Sequence, residues 1–263
     1  MSDPILLRDD DGHIATLTLN APASLNALSN AMLAVLTGAF AQIATDPDIR
    51  VVILRANGRA FCAGHDLKEM QAARSAPDKG RAAFEALFST CATLMQAITT
   101  LPQPVIAQVH ATAAAAGCQL VASCDLVVAS ETARFGVNGV NIGLFCSTPM
   151  VALTRKVPPA VAFEMLTTGE FLTAPRAREV GLVNRVTTPE SLDSETRTLA
   201  TTIAGKLTSA VRIGKRAFYE QASLPLAAAY THTGAVMTEN MLDPDTDEGL
   251  TAFLEKRSPD WPA

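Results

Sequence analysis

The stretch NGRAFCAGHDLKEM, residues 57–70, decides the fold of this chain. It follows an apolar strand candidate, Val51 to Leu54, and it ends at the start of a predicted helix. Asp66 is placed to cap that helix, with Glu69 three residues later in a variant of the capping box. The main-chain N–H of His65 then lies outside the helical ladder and is free to act as half of an oxyanion hole.

A second turn of small residues follows another apolar strand candidate, Pro104 to Val109. Residues 113–118, AAAAGC, let the main chain approach a ligand closely. We predict a helix from about Ala116, whose first N–H groups are unpaired and lie at the positive end of the helix dipole. Two such turns after buried strands suit the stabilisation of an enolate oxygen.

Three longer segments resemble the crotonase (enoyl-CoA hydratase/isomerase) superfamily. They are FCAGHDLKEM (61–70), CQLVASCDLVVASETARFG (118–136) and LTTGEFLTAPRAREVGLVNRV (166–186). Within it, AGHDLKEM (63–70), GLFCSTPMVALTRKVP (143–158), EMLTTGE (164–170) and residues 249–257 resemble the branch called enoyl-CoA hydratase domain-containing protein 3. The resemblance runs over nearly the whole chain.

The resemblance implies an α/β fold in which residues 1–190 form a crotonase-type ββα spiral core. Residues 191–263 would form a C-terminal helical subdomain that packs into trimer contacts, in a homotrimer or a dimer of trimers. The residue pattern agrees, because apolar strand candidates near 51–55, 104–109, 125–129 and 182–187 alternate with helical segments and so favour parallel pairing. Ile5 to Leu7 and Ile14 to Leu19 are predicted to pair, and Ser29 to cap the next helix.

The same resemblance implies an acyl-CoA thioester as the bound partner, with coenzyme A as part of the substrate and no separate cofactor. It places two further residues, Phe253 and Lys256, at the coenzyme A of a neighbouring subunit, although Lys256 alone reads more simply as a solvated charge. The expected coenzyme A contacts within the subunit are Ala23, Ser24, Leu25, Ala60, Phe61, Ala63, Gly64, Asp66 and Leu67.

In the family the oxyanion hole is made by two main-chain N–H groups, which fall here on His65 and Ala116. Most hydratases have Ala and Gly at these positions, but the role belongs to the main chain. The ring of His65 is interpreted as a packed or solvent-facing side chain at a helix start, with a catalytic base near the thioester as the alternative.

The two catalytic glutamates of the hydratases align with Gln119 and Gly139, and neither residue transfers a proton as a carboxylic acid does. Ordinary hydration is therefore not expected, and restoring both glutamates is expected to raise it. Glu69, Glu85, Glu131 and His110 could carry protons in principle, although structural roles explain them more simply. The residues expected to line the altered pocket are Asn138, Asn141, Cys146 and Ser147.

Two functions remain open at this point. One is an enzyme that stabilises a thioester enolate but performs altered chemistry, such as decarboxylation, thioester hydrolysis or another lyase reaction. The other is an acyl-CoA binder that has lost turnover.

Composition narrows the remaining function classes. A net charge of −5 and a pI near 5.4 give no global attraction to nucleic acid or anionic membranes. No metal motif is present: Asp243, Asp245 and Asp247 imitate a calcium loop, but Glu248 replaces the required Gly, so a helix start at Pro244 is predicted. Five cysteines without metal-site spacing indicate reduced thiols, and with no targeting pattern at the first residues they favour the cytoplasm.

Overall fold

A computed structural model describes residues 3–261, which contain two β-sheets and eleven α-helices. The strands are β1 (Leu6–Asp11), β2 (Ile14–Leu19), β3 (Val51–Ala56), β4 (Ala60–Cys62), β5 (Val105–Val109), β6 (Thr112–Ala114), β7 (Leu126–Ser130), β8 (Arg134–Gly136), β9 (Phe171–Thr173) and β10 (Arg185–Thr187). The helices are α1 (Asn30–Ala44), α2 (Leu67–Ala73), α3 (Arg81–Thr100), α4 (Ala116–Ser123), α5 (Ser147–Leu153), α6 (Pro159–Thr168), α7 (Ala174–Glu179), α8 (Leu192–Ala204), α9 (Thr208–Gln221), α10 (Leu226–Met241) and α11 (Pro244–Leu254).

The larger sheet has six strands in the order β1-β2-β3-β5-β7-β10. β1 and β2 form an antiparallel hairpin, and every later pair is parallel, for example with Leu17 beside Leu54. The four central strands, β2, β3, β5 and β7, are almost wholly buried, as expected when helices cover both faces of a parallel sheet. The predicted parallel pairing is confirmed, and β1 extends to Asp11, beyond the predicted Leu7.

The smaller sheet was not predicted. Its four strands have three residues each and lie in the order β4-β6-β8-β9, with the first three parallel and β9 antiparallel. Such short strands carry too few residues to show an alternating pattern. They matter for function, because β4 and β6 lead directly into the two small-residue turns.

The first helix begins as predicted. The Ser29 side chain accepts a hydrogen bond from the N–H of Met32, 3.1 Å away, and caps α1. The α1 residues at helical spacing, Leu33, Leu36, Phe40 and Ile43, are at most 1% exposed. They pack with Leu, Val and Ala side chains of the six-stranded sheet in one large core cluster.

The opposite face of the six-stranded sheet is covered by α8. Leu192, Ala200 and Ala204 of α8 pack with apolar residues of the strands, including Val51 and Ile106, in a second core cluster. The predicted C-terminal helical region is present in α8–α11. Because α8 packs on the sheet, the helical region begins with an element of the core, and the division of the chain at residue 190 stays a prediction.

Two findings concern the described part of the chain as a whole. No helix within residues 3–261 combines the length and apolar character that crossing a membrane requires. Within the same residues, no group of three or more His, Cys, Asp or Glu side chains is arranged to hold a metal ion. Asp243 caps α11 by accepting a hydrogen bond from the N–H of Asp245, 3.0 Å away, as predicted for a helix start.

Candidate functional site

The two small-residue turns are in main-chain contact. Gly64 has a φ of +97°, and a Cβ atom built on it would lie 3.1 Å from the carbonyl oxygen of Ala114. On the other turn, a Cβ atom on Gly117 would collide with the carbonyl oxygen of Cys62. Glycine is therefore favoured at Gly64 by its positive φ and by close neighbours, and at Gly117 because the main chain of Cys62 leaves no room for a side chain.

This contact brings the two predicted N–H groups to one cavity. His65 and Ala116 both line it, and a Cβ atom on Gly64 would lie 3.3 Å from the nitrogen of Ala116. Neither main-chain N–H donates a hydrogen bond to any residue between 3 and 261. An N–H group with no acceptor is costly unless a ligand or water supplies one.

Ala115 holds the second turn in a strained conformation. Its φ of +49° and ψ of −119° belong to a region that residues with a Cβ rarely adopt. Its N–H donates to the carbonyl oxygen of Gly136 at 2.8 Å, and its own carbonyl accepts from the N–H of Gln119 at 3.0 Å. The sequence gives no sign of this conformation, since nothing in a run of alanines marks one of them as having a positive φ.

The cap of α2 is confirmed in part. Asp66 Oδ1 accepts from the N–H of Lys68 at 2.8 Å and from that of Glu69 at 3.3 Å. The capping-box role of Glu69 is wrong, because its carboxylate instead accepts from the main-chain N–H and the side-chain amide of Asn30, both at 2.9 Å. Glu69 thereby joins α2 to the first turn of α1.

The cavity has a volume of about 420 Å³. One wall comes from the first turn, α2, α3 and the second turn, and the other comes from residues 138–149. The lining residues are Ala63, His65, Leu67, Met70, Phe88, Ala115, Ala116, Asn138, Gly139, Ile142, Leu144, Phe145, Cys146, Ser147, Thr148 and Pro149. None of them is an Asp, Glu, Lys or Arg.

The imidazole ring of His65 is packed in place. Its Nδ1 lies 3.3 Å from the carbonyl oxygen of Leu28, and its ring meets the ring of Phe88 edge-on at 5.8 Å between centroids. Its Nε2 is buried and has no hydrogen-bond partner among the described residues. Burial lowers the pKa of His65, so the ring is held in the neutral form.

Gln119 and Gly139 do not come together as a polar pair. Gln119 is 4% exposed, is not among the lining residues, and has its Oε1 4.0 Å from the Cys91 sulfur. Gly139 does line the cavity, but a Cβ atom there would collide with the carbonyl oxygen of Leu144 and lie 2.8 Å from the Cys146 sulfur. A glutamate at Gly139 would require this main chain to shift, and the expectation that restoring both glutamates raises hydration stays a prediction.

The other candidate proton carriers lie outside the cavity. Glu85 is exposed beside Arg81, and Glu131 is an exposed turn residue. The ring of His110 bonds to the carbonyl oxygen of Gly58 at 2.8 Å. Of the residues expected to line the pocket, Asn138, Cys146 and Ser147 do so, while Asn141 does not.

The residues expected to contact coenzyme A differ in their exposure to solvent. Ala23 and Ser24 are exposed in a 3-10 turn, Pro22–Ser24, and Leu25 follows it in a left-handed conformation. Phe61 is fully buried, so only its main chain could meet a ligand. Ala60 is 8% exposed.

Phe253, near the end of α11, is 80% exposed, and Lys256 just beyond that helix is also exposed. Neither lines the cavity of this subunit.

All five cysteines are free and buried, which confirms the prediction of reduced thiols. Burial raises the pKa of Cys62 and of Cys118 to about 12, and it also raises the pKa of Cys146. The Cys146 thiol in the cavity wall is therefore protonated and weakly nucleophilic at neutral pH.

Known proteins match this chain over nearly its whole length. A family model described as enoyl-CoA hydratase/isomerase matches residues 9–263. A crystal structure of an enoyl-CoA hydratase from Mycobacterium smegmatis is 53% identical, with a TM-score of 0.95 over 98% of this chain and 99% of that one. The human enoyl-CoA hydratase domain-containing protein 3 structure is 43% identical, with a TM-score of 0.93 over 98% and 100% of the two chains.

The Xenopus laevis relative, named enoyl-CoA hydratase domain-containing protein 3, mitochondrial, is 46% identical over 98% of this chain and 86% of its own length. The resemblance to this branch is thus confirmed. The predicted cytoplasmic location is wrong by the same comparison, because the relative is named as mitochondrial. Buried reduced thiols fit any reducing compartment, so the cysteine pattern did not single out the cytoplasm.

Proposed function

Because the chain belongs to the enoyl-CoA hydratase/isomerase family, we propose that it binds an acyl-CoA thioester with the carbonyl oxygen between the N–H groups of His65 and Ala116. The observation that carries this proposal is the contact between Gly64 and the Ala114–Ala116 turn, which sets two unpaired N–H groups in the wall of one cavity. Donors fixed in this way stabilise negative charge that develops on an oxygen, as in a thioester enolate.

Standard hydration of an enoyl-CoA is not part of the proposal. Hydration requires one group to activate water and another to deliver a proton, and paired carboxylates usually share this work. No carboxylate lines the cavity within the described residues, and Gly139 cannot carry one without displacing Leu144. The two groups typically contribute about 10²–10⁴-fold each, so we expect slow hydration of crotonyl-CoA.

The side chains of the cavity are compatible with two functions, an enzyme with altered chemistry and a binder without turnover. An altered enzyme would use the oxyanion hole for decarboxylation, thioester hydrolysis or another lyase reaction, with the neutral ring of His65 as the available base. A binder without turnover is the second candidate. It is favoured by the absence of carboxylates from the cavity wall and by the packing of His65 against Phe88 and Leu28.

Calorimetry tests binding directly. Acyl-CoA thioesters should bind more tightly than free coenzyme A, because only a thioester presents a carbonyl to the two N–H groups. Equal affinity for both would contradict the oxyanion role, and no affinity for any thioester would contradict the function. A rate assay over several acyl-CoA classes then separates an enzyme from a binder.

We further propose a homotrimer or a dimer of trimers. No residue of α10 is buried in the single subunit, and its Leu226, Tyr230 and Met237 are 75%, 73% and 62% exposed. A helix with this much exposed apolar surface usually packs against something. Analytical ultracentrifugation that gives a monomer at micromolar concentration would contradict this assembly.

A further inference from the structure

We propose that Glu69 is a positioning residue, which fixes the direction of the His65 N–H by joining α2 to the N-terminus of α1. This inference rests on the proposed function, because the His65 N–H is one of the two donors of the proposed oxyanion hole. It goes further by assigning a role to a carboxylate that lies outside the cavity and that transfers no proton.

The direction of the His65 N–H depends on one peptide group. In the trans peptide that joins Gly64 to His65, the carbonyl oxygen and the N–H point in opposite directions. The carbonyl oxygen of Gly64 accepts a hydrogen bond from the N–H of Leu28 at 2.7 Å, so the His65 N–H points away from Leu28. Leu28 lies just before α1, which begins at Asn30. The orientation of the donor is therefore set by the segment that leads into α1.

The two helices next to this peptide differ in how they are held. α1 is anchored, because Leu33, Leu36 and Phe40 pack in the main core and are at most 1% exposed. α2 has seven residues, and none of them is buried. Met70 of α2 packs against the core but is only half-buried, and Leu67 is 54% exposed. Apolar burial therefore does little to fix α2, and polar contacts must contribute more.

Glu69 provides such a polar contact. Its Oε2 accepts hydrogen bonds from the main-chain N–H and the side-chain amide of Asn30, both at 2.9 Å. The N–H of this first residue has no acceptor within its own helix, and the carboxylate lies at the positive end of the helix dipole. Ser29 accepts from the N–H of Met32 in the same turn, so the two acceptors serve different N–H groups. A charge-assisted contact thus holds α2 to the anchored helix.

His65 lies between the two contacts that join these segments. Gly64 on one side is bonded to Leu28, and Glu69 on the other is bonded to Asn30. The ring of His65 also reaches the carbonyl oxygen of Leu28, with Nδ1 at 3.3 Å. Loss of the Glu69 contact frees the end that burial does not secure, and the His65 N–H gains freedom with it. A donor that moves stabilises charge on an oxygen less well than a fixed donor.

Variants of Glu69 in the full-length protein test this role. Glu69→Gln keeps an oxygen that accepts hydrogen bonds from Asn30, whereas Glu69→Met has a similar length and no such oxygen. Glu85→Met is the matched control, because Glu85 is an exposed carboxylate on α3 that pairs with the exposed Arg81 and does not line the cavity.

Two measurements report on the donor separately from the stability of the fold. One is the thioester preference, which is the ratio of the dissociation constants of free coenzyme A and butyryl-CoA in calorimetry. The other is the infrared stretching frequency of the bound thioester carbonyl, isotope-labelled at its carbon, which hydrogen bonding to the oxygen lowers.

Glu69→Met should reduce the thioester preference about three- to tenfold, the effect of one weakened hydrogen bond, and should raise the carbonyl frequency. Glu69→Gln should keep both values close to those of the unaltered protein, because its oxygen still accepts from Asn30. Glu85→Met should change neither value.

The outcomes separate the two proposals. If the unaltered protein binds no thioester, the proposed function itself fails. If it binds butyryl-CoA and Glu69→Met changes neither the preference nor the frequency, the function stands and the role of Glu69 is overturned. Equal losses in Glu69→Gln and Glu69→Met also overturn it, because the acceptor oxygen would then not matter. A Glu69→Met protein that is less stable in urea but keeps its carbonyl frequency restricts Glu69 to the fold and overturns the proposal as well.

Discussion

Lys215 Nζ lies 2.6 Å from Asp125 Oδ2, and this ion pair joins α9 to the residue that precedes β7 of the six-stranded sheet. Lys215 also donates to the carbonyl oxygens of Ile98 and Gln103, both at 2.9 Å. Asp125 accepts from the hydroxyl of Tyr219 at 2.8 Å and from the N–H of Val105 at 2.6 Å. The charges are thus fully hydrogen-bonded where α3, the sheet and the C-terminal helices meet.

The first prediction concerns this pair. Lys215→Met should lower the free energy of unfolding by up to about 3 kcal/mol, because it leaves the partly buried carboxylate of Asp125 without its cation. The neighbouring Arg216→Met serves as control, since the Arg216–Glu239 pair is more than half exposed and should contribute less than about 1 kcal/mol. Urea denaturation measures both, and equal effects would show that burial does not distinguish the two pairs.

The strained turn gives the second prediction. Ala115→Gly should raise the free energy of unfolding by about 1 kcal/mol, because the strain of the positive φ exceeds the entropy that glycine costs. Ala114→Gly, one residue earlier in β6, should instead lower it by about 0.5–1 kcal/mol. Thermal or urea denaturation of the two variants decides the matter. A destabilised Ala115→Gly protein would show that the turn is not strained.

Gly139 supports a third prediction. Gly139→Ala should lower the free energy of unfolding by about 1–3 kcal/mol, since the new methyl group overlaps the carbonyl oxygen of Leu144. Gly38→Ala in α1 has open space around it and should raise stability slightly.

The same overlap predicts that Gln119→Glu with Gly139→Glu does not restore crotonyl-CoA hydration. A spectrophotometric assay of the double variant checks this. A clear gain in rate would mean that residues 140–144 move aside at little cost.

A fourth prediction follows from the buried ring of His65. Its pKa in the folded protein lies below the ordinary value of about 6.5, so the unfolded chain binds a proton that the folded one does not. The stability from this difference is present above about pH 6.5 and is lost as the pH falls through the window below it. His65→Gln should therefore make the free energy of unfolding less dependent on pH between about 7 and 5. Urea denaturation at several pH values measures the slope, and an unchanged slope would contradict it.

Much of the fold could be predicted because its signals are local and repeated. The strands of the six-stranded sheet are apolar runs such as Val105–Val109, and the cap at Ser29 is a recognised helix signal. The small sheet gave no such signal, because three residues do not establish a period. The spiral core and the C-terminal helical region were predicted from the family resemblance and not from the residue pattern alone.

Only the positions of the two turns in the site could be predicted, because small residues mark them in the sequence. Gly64 and Gly117 marked the turns, but the conformation of Ala115 and the partner of Glu69 depend on contacts between distant segments. The crowding at Gly139 likewise depends on how the chain returns at Leu144. These are consequences of tertiary packing, which a single sequence does not encode locally.

The close contact between Gly64, Gly117 and the opposing turns has a consequence for how this site tolerates change. In a saturation mutagenesis experiment, the partly exposed position of His65 should accept several side chains, whereas the glycines beside the two N–H groups should accept almost none. The positions that tolerate no substitution would then be the glycines that hold the two turns together. The experiment would not identify the residues whose N–H groups bind the ligand. Side chains in the cavity can therefore change during evolution while the main-chain positions of the two N–H groups stay the same.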